Sequence, residues 1–213
     1  MDKRFEIFYI RHGETTNELF EERDTCDVNL TEKGVKQAEF LGRRFEGKHF
    51  DAVFSSPLVR AVRTAAAVCE KLDGHPAIEL LPQIIENGSS YGYFGESIEY
   101  LKRYYDNIEL NTDMPLMYDN LEDEDNDRRA RTVIEYFKNR FTYGQKIIVF
   151  AHGSFGNHFL PQAVGMGKGD YILSLNNTSV SKVKYTSDGK QRISFCNDMS
   201  HLRPLMPEYE FDV

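Results

Sequence analysis

The pattern of hydrophobic and polar positions divides the chain into alternating strands and helices. Short, nearly continuous apolar runs are typical of strands that are buried on both faces of a sheet. The segments between them carry apolar residues three and four positions apart, which is typical of helices that cover such a sheet. This alternation predicts an α/β sandwich around a mainly parallel sheet. The predicted strands are 5–10, 51–55, 77–81 and 146–151, and the predicted helices are 31–47, 56–73, 96–108, 127–144 and 153–164.

The last third of the chain adds a different element. Segments 180–185 and 192–196 alternate as strands do, and the turn residues at 187–189 predict an antiparallel hairpin between them. Earlier in the chain, Ser56 precedes a proline and is predicted to be the N-cap of the helix that follows. Because neither an internal repeat nor a linker is visible, 1–213 is predicted to be one domain, with a lid or insert around 87–126.

Composition narrows the class of partner. The chain has 26 lysines and arginines against 34 aspartates and glutamates, a formal net charge of −8, which disfavours binding to nucleic acid or to an anionic membrane surface. Its longest apolar runs have five residues, too few to span a membrane. The three cysteines, Cys26, Cys69 and Cys196, are far apart and predict reduced thiols in a cytoplasmic protein. No signal peptide is expected at the start.

Two His-Gly pairs, at 12–13 and 152–153, follow directly after predicted strands. Ligands of parallel α/β sheets bind at the carboxyl ends of the strands, so both pairs are candidates for a site. Transfer of an anionic phosphoryl group needs clustered positive charge and an in-line nucleophile. Arg11 and Arg60 can each clamp phosphoryl oxygens, and they would oppose protonation of His12, leaving its imidazole competent as a nucleophile.

Six short motifs occur in a fixed order along the chain. They are R-H-G-E-T at 11–15, D-V-N-L-T-x-x-G-x-x-Q-A at 27–38, S-S-P-L-x-R-A-x-x-T-A at 55–65, A-H-G at 151–153, N-T-S-V at 177–180 and N-D-x-x-H-L at 197–202. Together they resemble the signatures of the histidine phosphatase superfamily, in its phosphoglycerate-mutase-like branch. The resemblance implies a three-layer α/β/α sandwich whose mainly parallel sheet has an antiparallel edge.

The resemblance also implies a reaction in two steps through a phosphohistidine, without a metal or another cofactor. His12 would accept the phosphoryl group. Arg11, Arg60 and His152 would bind that group while it is transferred. The backbone at Gly13 and at Gly153 would approach the substrate closely.

Two further residues are assigned on the family pattern. A leaving alkoxide must gain a proton and the attacking water must lose one, and a single carboxyl can do both in turn. Glu86 lies in the loop after the third strand, where the family has this acid, and Glu96 and Glu99 are its alternatives. The asparagine expected in the first loop falls at position 18, where this chain has Glu18, so the neighbouring Asn17 is predicted to contact the substrate.

The predicted function is hydrolysis of a small phosphorylated metabolite. Residues 87–89 read N-G-S rather than the H-Y-G of the mutases, and Ala130 follows Arg128 and Arg129 where the mutases have serine. The alternatives are a cofactor-dependent phosphoglycerate mutase, a catalytically silent binding module of the same fold, and a metallohydrolase that uses His12, Glu14 and His152. The sequence predicts neither a nucleic-acid partner nor a membrane, and it sets no oligomeric state.

Overall fold

A computed structural model describes residues 5–16, 27–87, 95–114, 123–166, 172–186 and 188–205 of the chain, with the backbone alone for 123–125. Within these residues a seven-stranded sheet forms the centre of the molecule. Its strands are β1 (Glu6–Arg11), β2 (Ala52–Ser55), β3 (Ile78–Leu80), β4 (Ile108–Leu110), β5 (Lys146–Ala151), β6 (Val180–Tyr185) and β7 (Gln191–Asp198).

The strand order is β4-β3-β2-β5-β1-β6-β7. The first five strands in this order are mutually parallel, whereas β6 runs antiparallel to β1 and β7 runs antiparallel to β6. The prediction of a mainly parallel sheet with an antiparallel edge is therefore confirmed. Because β1 and β5 are direct neighbours, the two His-Gly pairs leave the sheet side by side.

Helices cover both faces of the sheet. The period of two along β5 sends Ile148 and Phe150 to one core and Ile147 and Val149 to the other. The helices are α1 (Glu32–Phe45), α2 (Val59–Cys69), α3 (Ile98–Leu101), α4 (Asp123–Arg140) and α5 (Gly153–Ala163), with short 3₁₀ turns at Pro82–Ile84 and Ser200–Leu202. The first core includes residues of α1, α2 and α3, and the second includes residues of α4 and α5.

The prediction of one helix over 96–108 is wrong. The hydroxyl of Ser97 caps α3 by accepting from Tyr100 N–H, but the helix ends at Leu101, and the chain forms β4 instead. Side chains of the intervening turn bind back to the loop before β3, since Tyr105 donates to Pro76 O at 2.8 Å and Asn107 donates to His75 O at 3.2 Å. These contacts bring the next three residues into register with β3.

The predicted lid or insert around 87–126 is described only in part. Its central portion holds α3 and β4, and β4 is an edge strand of the sheet. Residues 88–94 and 115–122 lie outside the described residues, so closure of a lid stays a prediction. None of the described helices is both long and apolar enough to cross a membrane.

Candidate active site

The two strand-end histidines lie next to each other. The register between β1 and β5 pairs Arg11 with Ala151, so His12 and His152 leave the sheet at the same level. Their ring centroids are 5.2 Å apart, and the two residues are only 4% and 0% exposed. Both histidines predicted from the His-Gly pairs are thus brought into one buried centre at the carboxyl edge of the sheet.

The hydrogen bonds of His12 define which ring nitrogen carries the proton. Its Nδ1 lies 2.7 Å from Gly13 O, and a carbonyl oxygen can only accept, so Nδ1 holds the hydrogen. Nε2 therefore presents a lone pair, toward which Arg60 Nε donates at 3.3 Å. Burial, then the charges of Arg60 and Arg11, hold the pKa of His12 well below its ordinary value. The ring is therefore neutral, and Nε2 is its unprotonated nitrogen.

Close backbone packing holds the loop that carries His12. A Cβ on Gly13 would lie 2.7 Å from Gly34 O, and a Cβ on Gly34 would lie 2.1 Å from Glu14 O, so the start of α1 reaches this loop only because both residues are glycine. Gly13 N–H donates to Thr64 Oγ1 at 3.0 Å, and Glu14 N–H donates to Gln37 Oε1 at 2.8 Å. Side chains from α1 and α2 thus fix the loop at 11–14, which carries His12.

Arg60 lies in the first turn of α2 and is 8% exposed. The sequence predicted Ser56 as the N-cap of this helix, but the helix begins at Val59, and the carboxylate of Asp27 accepts its N–H at 2.9 and 3.0 Å. Asp27 also lies 3.9 Å from Arg60 Nη1. The carboxylate is a better partner than a hydroxyl because it complements both the helix dipole and the guanidinium charge.

The hydroxyl of Ser56 instead lies 2.8 Å from Nε2 of His152. The backbone of the same histidine is held from the sheet, since Tyr9 donates its hydroxyl hydrogen to His152 O at 2.7 Å. Burial, followed by the charge of Arg60, holds the pKa of His152 well below its ordinary value. Its buried Nδ1 has no hydrogen-bond partner among the described residues, so this polar atom can serve a bound group.

A polar cavity of about 340 Å³ opens beside the two histidines' loops. Arg11 lies in its wall, with Nη1 donating to Leu175 O at 2.7 Å. A Cβ on Gly153 would meet Arg11 Nε at 3.3 Å, so glycine leaves room for the guanidinium beside the second loop. The other lining residues are Glu86, Gly153, Ser154, Asn157, Leu173, Ser174, Leu175 and Asn176.

Glu86 reaches this cavity from the loop after β3 and the 3₁₀ turn. Its Oε1 accepts from Phe155 N–H at 2.9 Å, and its Oε2 accepts from Ser154 N–H at 3.3 Å, so the carboxylate sits on the N-terminus of α5. The alternatives, Glu96 and Glu99, are exposed and do not line the cavity. The geometry therefore places Glu86, rather than either alternative, beside Arg11.

Arg129 is a buried arginine near this centre that sequence reasoning did not place there. It donates to Ile85 O at 2.8 Å and to Asn87 Oδ1 at 2.9 Å, on either side of Glu86 along the chain. Its charge contributes to lowering the pKa of His152. Its place on the inner face of the amphipathic helix, beside Ala130 and Val133, is the sequence signal that could have found it.

Two sequence expectations remain, the substrate contact of Asn17 and the metallohydrolase alternative. Asn17 lies outside the described residues. The carboxylate of Glu14, a ligand in the metallohydrolase alternative, is bound by Lys33 Nζ at 2.7 Å and by the Thr31 hydroxyl at 3.0 Å. Across the described part of the chain, no three side chains of the metal-ligating types form a cluster that could hold an ion.

Comparison with known proteins identifies the family and the fold. The model of the histidine phosphatase superfamily (branch 1) matches residues 7–198. The chain is 30% identical to the uncharacterized phosphatase PhoE of Bacillus subtilis over 201 residues, 92% of this chain and 96% of that protein.

Two solved structures share the fold. A phosphoserine phosphatase mutant from Entamoeba histolytica, in complex with phosphoserine, superposes with a TM-score of 0.65 at 21% identity, covering 93% of this chain and 99% of that one. A phosphoglycerate mutase from Bacillus anthracis superposes with a TM-score of 0.64 at 19% identity, covering 93% and 95%.

Proposed function

The chain belongs to the histidine phosphatase superfamily, and we propose that it hydrolyses a small phosphomonoester through a phosphohistidine on His12. One observation carries this proposal: a neutral imidazole whose Nε2 lone pair faces the guanidinium of Arg60, beside a second neutral imidazole. A phosphoryl dianion is complementary to that arrangement, because the arginine charges attract its oxygens while the nucleophile stays unprotonated.

In the first step, Nε2 of His12 attacks phosphorus as the ester P–O bond breaks. The departing alkoxide takes a proton from the carboxyl of Glu86, which lines the cavity with Arg11. Nδ1–H of His12 keeps donating to Gly13 O, and this hydrogen bond stabilises the positive charge that the ring acquires on phosphorylation.

In the second step, the Glu86 carboxylate removes a proton from water, and the oxygen of that water attacks phosphorus. The P–N bond breaks, inorganic phosphate is formed, and His12 returns to its neutral form while Glu86 is again protonated. Arg11, Arg60 and His152 bind the phosphoryl oxygens in both steps, and Gly13 and Gly153 let the backbone approach them.

The proposed substrate is a small phosphorylated metabolite. The cavity of about 340 Å³ has room for a phosphoryl group and a modest organic part, and its wall carries the hydroxyls of Ser154 and Ser174. Such a wall suits a polar leaving group. The relatives named above differ in substrate, so the identity of this organic part is a matter for a substrate panel. A cytoplasmic location, predicted from the separated cysteines, is part of the same proposal.

The second candidate reaction is that of a phosphoglycerate mutase. The fold similarity to the Bacillus anthracis mutase gives it a basis. A mutase must protect its phosphohistidine from water while the intermediate reorients. In this chain, Arg128 and Arg129 form the pair that resembles the mutase arginines. Arg129 donates to Ile85 O and to the side chains of Asn87 and Asn126. These contacts favour a role for Arg129 in holding the loop of Glu86.

The deciding experiment measures phosphate release from a panel of phosphorylated metabolites beside interconversion of 2- and 3-phosphoglycerate. A radiolabelled substrate, quenched in alkali, tests in parallel for a phosphohistidine that is lost in acid. We expect phosphate release to dominate and His12→Ala to lose both turnover and label, by on the order of 10⁴-fold in rate. Substitution of the exposed His49 by alanine is the matched control and should change neither.

Each alternative has its own result. Interconversion that far outpaces phosphate release would replace the phosphatase with the mutase. Label that persists in His12→Ala would move the nucleophile to another residue. A wild-type protein that binds phosphorylated compounds without turning over any of them would favour the silent binding module.

A further inference from the structure

Two of the sequence motifs have no part in the proposed chemistry. They are N-T-S-V at 177–180, before and into β6, and N-D-x-x-H-L at 197–202, after β7. The structure joins them in one chain of hydrogen bonds that runs from α1 to the backbone of Arg11 and His12. That chain of hydrogen bonds is built around His201.

The chain of hydrogen bonds ends on the loop at 11–14, which carries His12. Thr178 N–H is shared between Arg11 O at 3.0 Å and His12 O at 3.2 Å, and Asn177 Nδ2 donates to His12 O at 3.3 Å. Thr178 is completely buried and has a φ of 55°, in the left-handed region that a β-branched residue rarely adopts. Its neighbours must hold it in that conformation for its N–H to reach both carbonyl oxygens.

The side chain of Thr178 is held by His201. Nε2 of His201 lies 3.2 Å from Thr178 Oγ1, and that hydroxyl donates to Asn177 O at 2.8 Å. Because the hydroxyl hydrogen is used in the second bond, the hydroxyl oxygen accepts in the first, and His201 must carry its hydrogen on Nε2.

The other side of the ring requires the same tautomer. Arg44 Nη1 lies 3.4 Å from Nδ1 of His201, and a guanidinium can only donate, so Nδ1 is the acceptor. Arg44 is itself fixed, with Nη2 2.5 Å from Asp198 Oδ2 and its guanidinium over the rings of Phe45 and Phe195. Burial, then the charge of Arg44, lowers the pKa of His201 to about 4, so the ring is neutral.

We propose that His201 is a positioning residue, which sets the backbone of Arg11 and His12 through the hydroxyl of Thr178. Every bond in the chain has a fixed direction, from Arg44 to His201 to Thr178 to Asn177 O, so the neutral Nε2–H form of His201 is the only state that completes it. This inference rests on the proposed function, because its consequence is the alignment of His12 Nε2 for attack on phosphorus. Displacement of a reacting atom by about 1 Å can lower a rate by about 10²-fold.

The test uses two amides that differ in reach. In His201→Gln the side-chain amide can place an N–H near the position of Nε2, whereas the shorter amide of His201→Asn reaches only the position of Nδ1. We expect the rate of phosphohistidine formation from radiolabelled phenyl phosphate to stay within about 3-fold of wild type in the glutamine variant. In the asparagine variant we expect it to fall by about 10- to 100-fold. Equal rates in both variants, with both folded by circular dichroism, would overturn the inference.

A double-mutant cycle separates positioning from general stabilisation. Thr178→Val removes the hydroxyl and keeps the shape, and it should lower the same rate by a similar factor. Adding His201→Asn to that variant should cause no further loss, because the hydroxyl through which His201 acts is already absent. Two reductions that multiply would contradict the proposed route.

A measurement that does not depend on activity distinguishes failure of this inference from failure of the proposed function. Proton–nitrogen NMR spectra of the imidazole rings report the hydrogen on Nδ1 of His12. We expect that signal to be unchanged in His201→Gln and shifted or broadened in His201→Asn. If the wild-type protein forms no phosphohistidine, the proposed function fails while this spectrum still tests the positioning. An unchanged His12 signal in His201→Asn refutes the positioning alone.

Discussion

Replacing Thr64 by valine tests how the loop at 11–14, which carries His12, is held against α2. The Thr64 hydroxyl accepts from Gly13 N–H at 3.0 Å and donates to Arg60 O at 2.7 Å, and the residue is completely buried. Valine has the same shape, so neither a cavity nor a clash is created. The variant leaves the buried Gly13 N–H without an acceptor, which costs about 1–3 kcal/mol, and it loses a second hydrogen bond worth about 1 kcal/mol. We therefore expect a destabilisation of about 3 kcal/mol.

The same substitution should reduce activity beyond its effect on stability. Thr64 is the side chain through which the loop of His12 contacts the helix of Arg60, and its loss frees the loop to move relative to the guanidinium. A misalignment of a fraction of an ångström should lower the rate of phosphohistidine formation by about 10-fold or more, measured at a temperature where the variant is fully folded.

The assay is urea unfolding followed by circular dichroism, with rapid-quench labelling on the same preparations. Thr64→Ser is the matched control, since it keeps both hydrogen bonds and loses only a methyl group, at about 1 kcal/mol. We expect a lower midpoint for the valine variant with an unchanged slope. A valine variant as stable and as active as the serine variant would show that the hydroxyl does not connect the loop to α2.

Three further predictions concern charge and protonation. Arg60→Lys should lower kcat/KM by about 10²-fold or more because an ammonium cannot make a planar bidentate contact. The control is Arg63→Lys, at a half-buried arginine of the same helix. Near-normal activity in Arg60→Lys would contradict the role of Arg60 in binding the phosphoryl group. Glu86→Gln should lose most turnover of alkyl phosphates and less of the first step with an aryl phosphate, whose leaving group needs no proton; equal losses in a rapid-quench comparison would argue against Glu86 as the acid. In the folded protein, the pKa of His201 is lowered from 6.5 to about 4. As pH drops through this range, the imidazole gains its proton in the unfolded chain before it does so in the folded protein. The free energy of unfolding therefore falls by about 3 kcal/mol between about pH 6.5 and pH 4. Urea unfolding across that range should show a weaker pH dependence in His201→Gln than in the wild type, and equal slopes would contradict the prediction.

The site could be predicted from the sequence because its main residues follow strands that are buried on both faces. The apolar run of β5, like that of β1, is readable from sequence alone, and parallel strands end at a common edge. His12 and His152 therefore had to lie near each other if the strands were neighbours, and they are. Glu86 was predicted only from the motif resemblance, because no periodic pattern of hydrophobic and polar positions relates it to either histidine.

Contacts between distant segments defeated the remaining predictions. The apolar spacing of 96–108 favours a helix, but β4 is only three residues long, and the contacts of Tyr105 and Asn107 with the loop before β3 decide its conformation. The N-cap of α2 failed for a similar reason. Ser56 has the local chemistry of a cap, yet its hydroxyl bonds to His152, and Asp27 caps the helix from outside the helix's own sequence.

Backbone hydrogen bonding gives a physical reason why segments so far apart in the chain surround one loop. The loop at 11–14 leaves the sheet and is buried around His12, so its N–H and C=O groups need partners other than water. In β5, Ala151 O accepts from His12 N–H, and in α2, Thr64 Oγ1 accepts from Gly13 N–H. At the start of α1, Gln37 Oε1 accepts from Glu14 N–H, and Thr31 N–H donates to Glu14 O. In the segment before β6, Thr178 N–H donates to the carbonyl oxygens of Arg11 and His12. The one remaining carbonyl, Gly13 O, accepts from His12 itself and thereby leaves Nε2 as the lone pair. Completing the hydrogen bonds of this loop and leaving the lone pair on Nε2 of His12 are thus the same structural requirement.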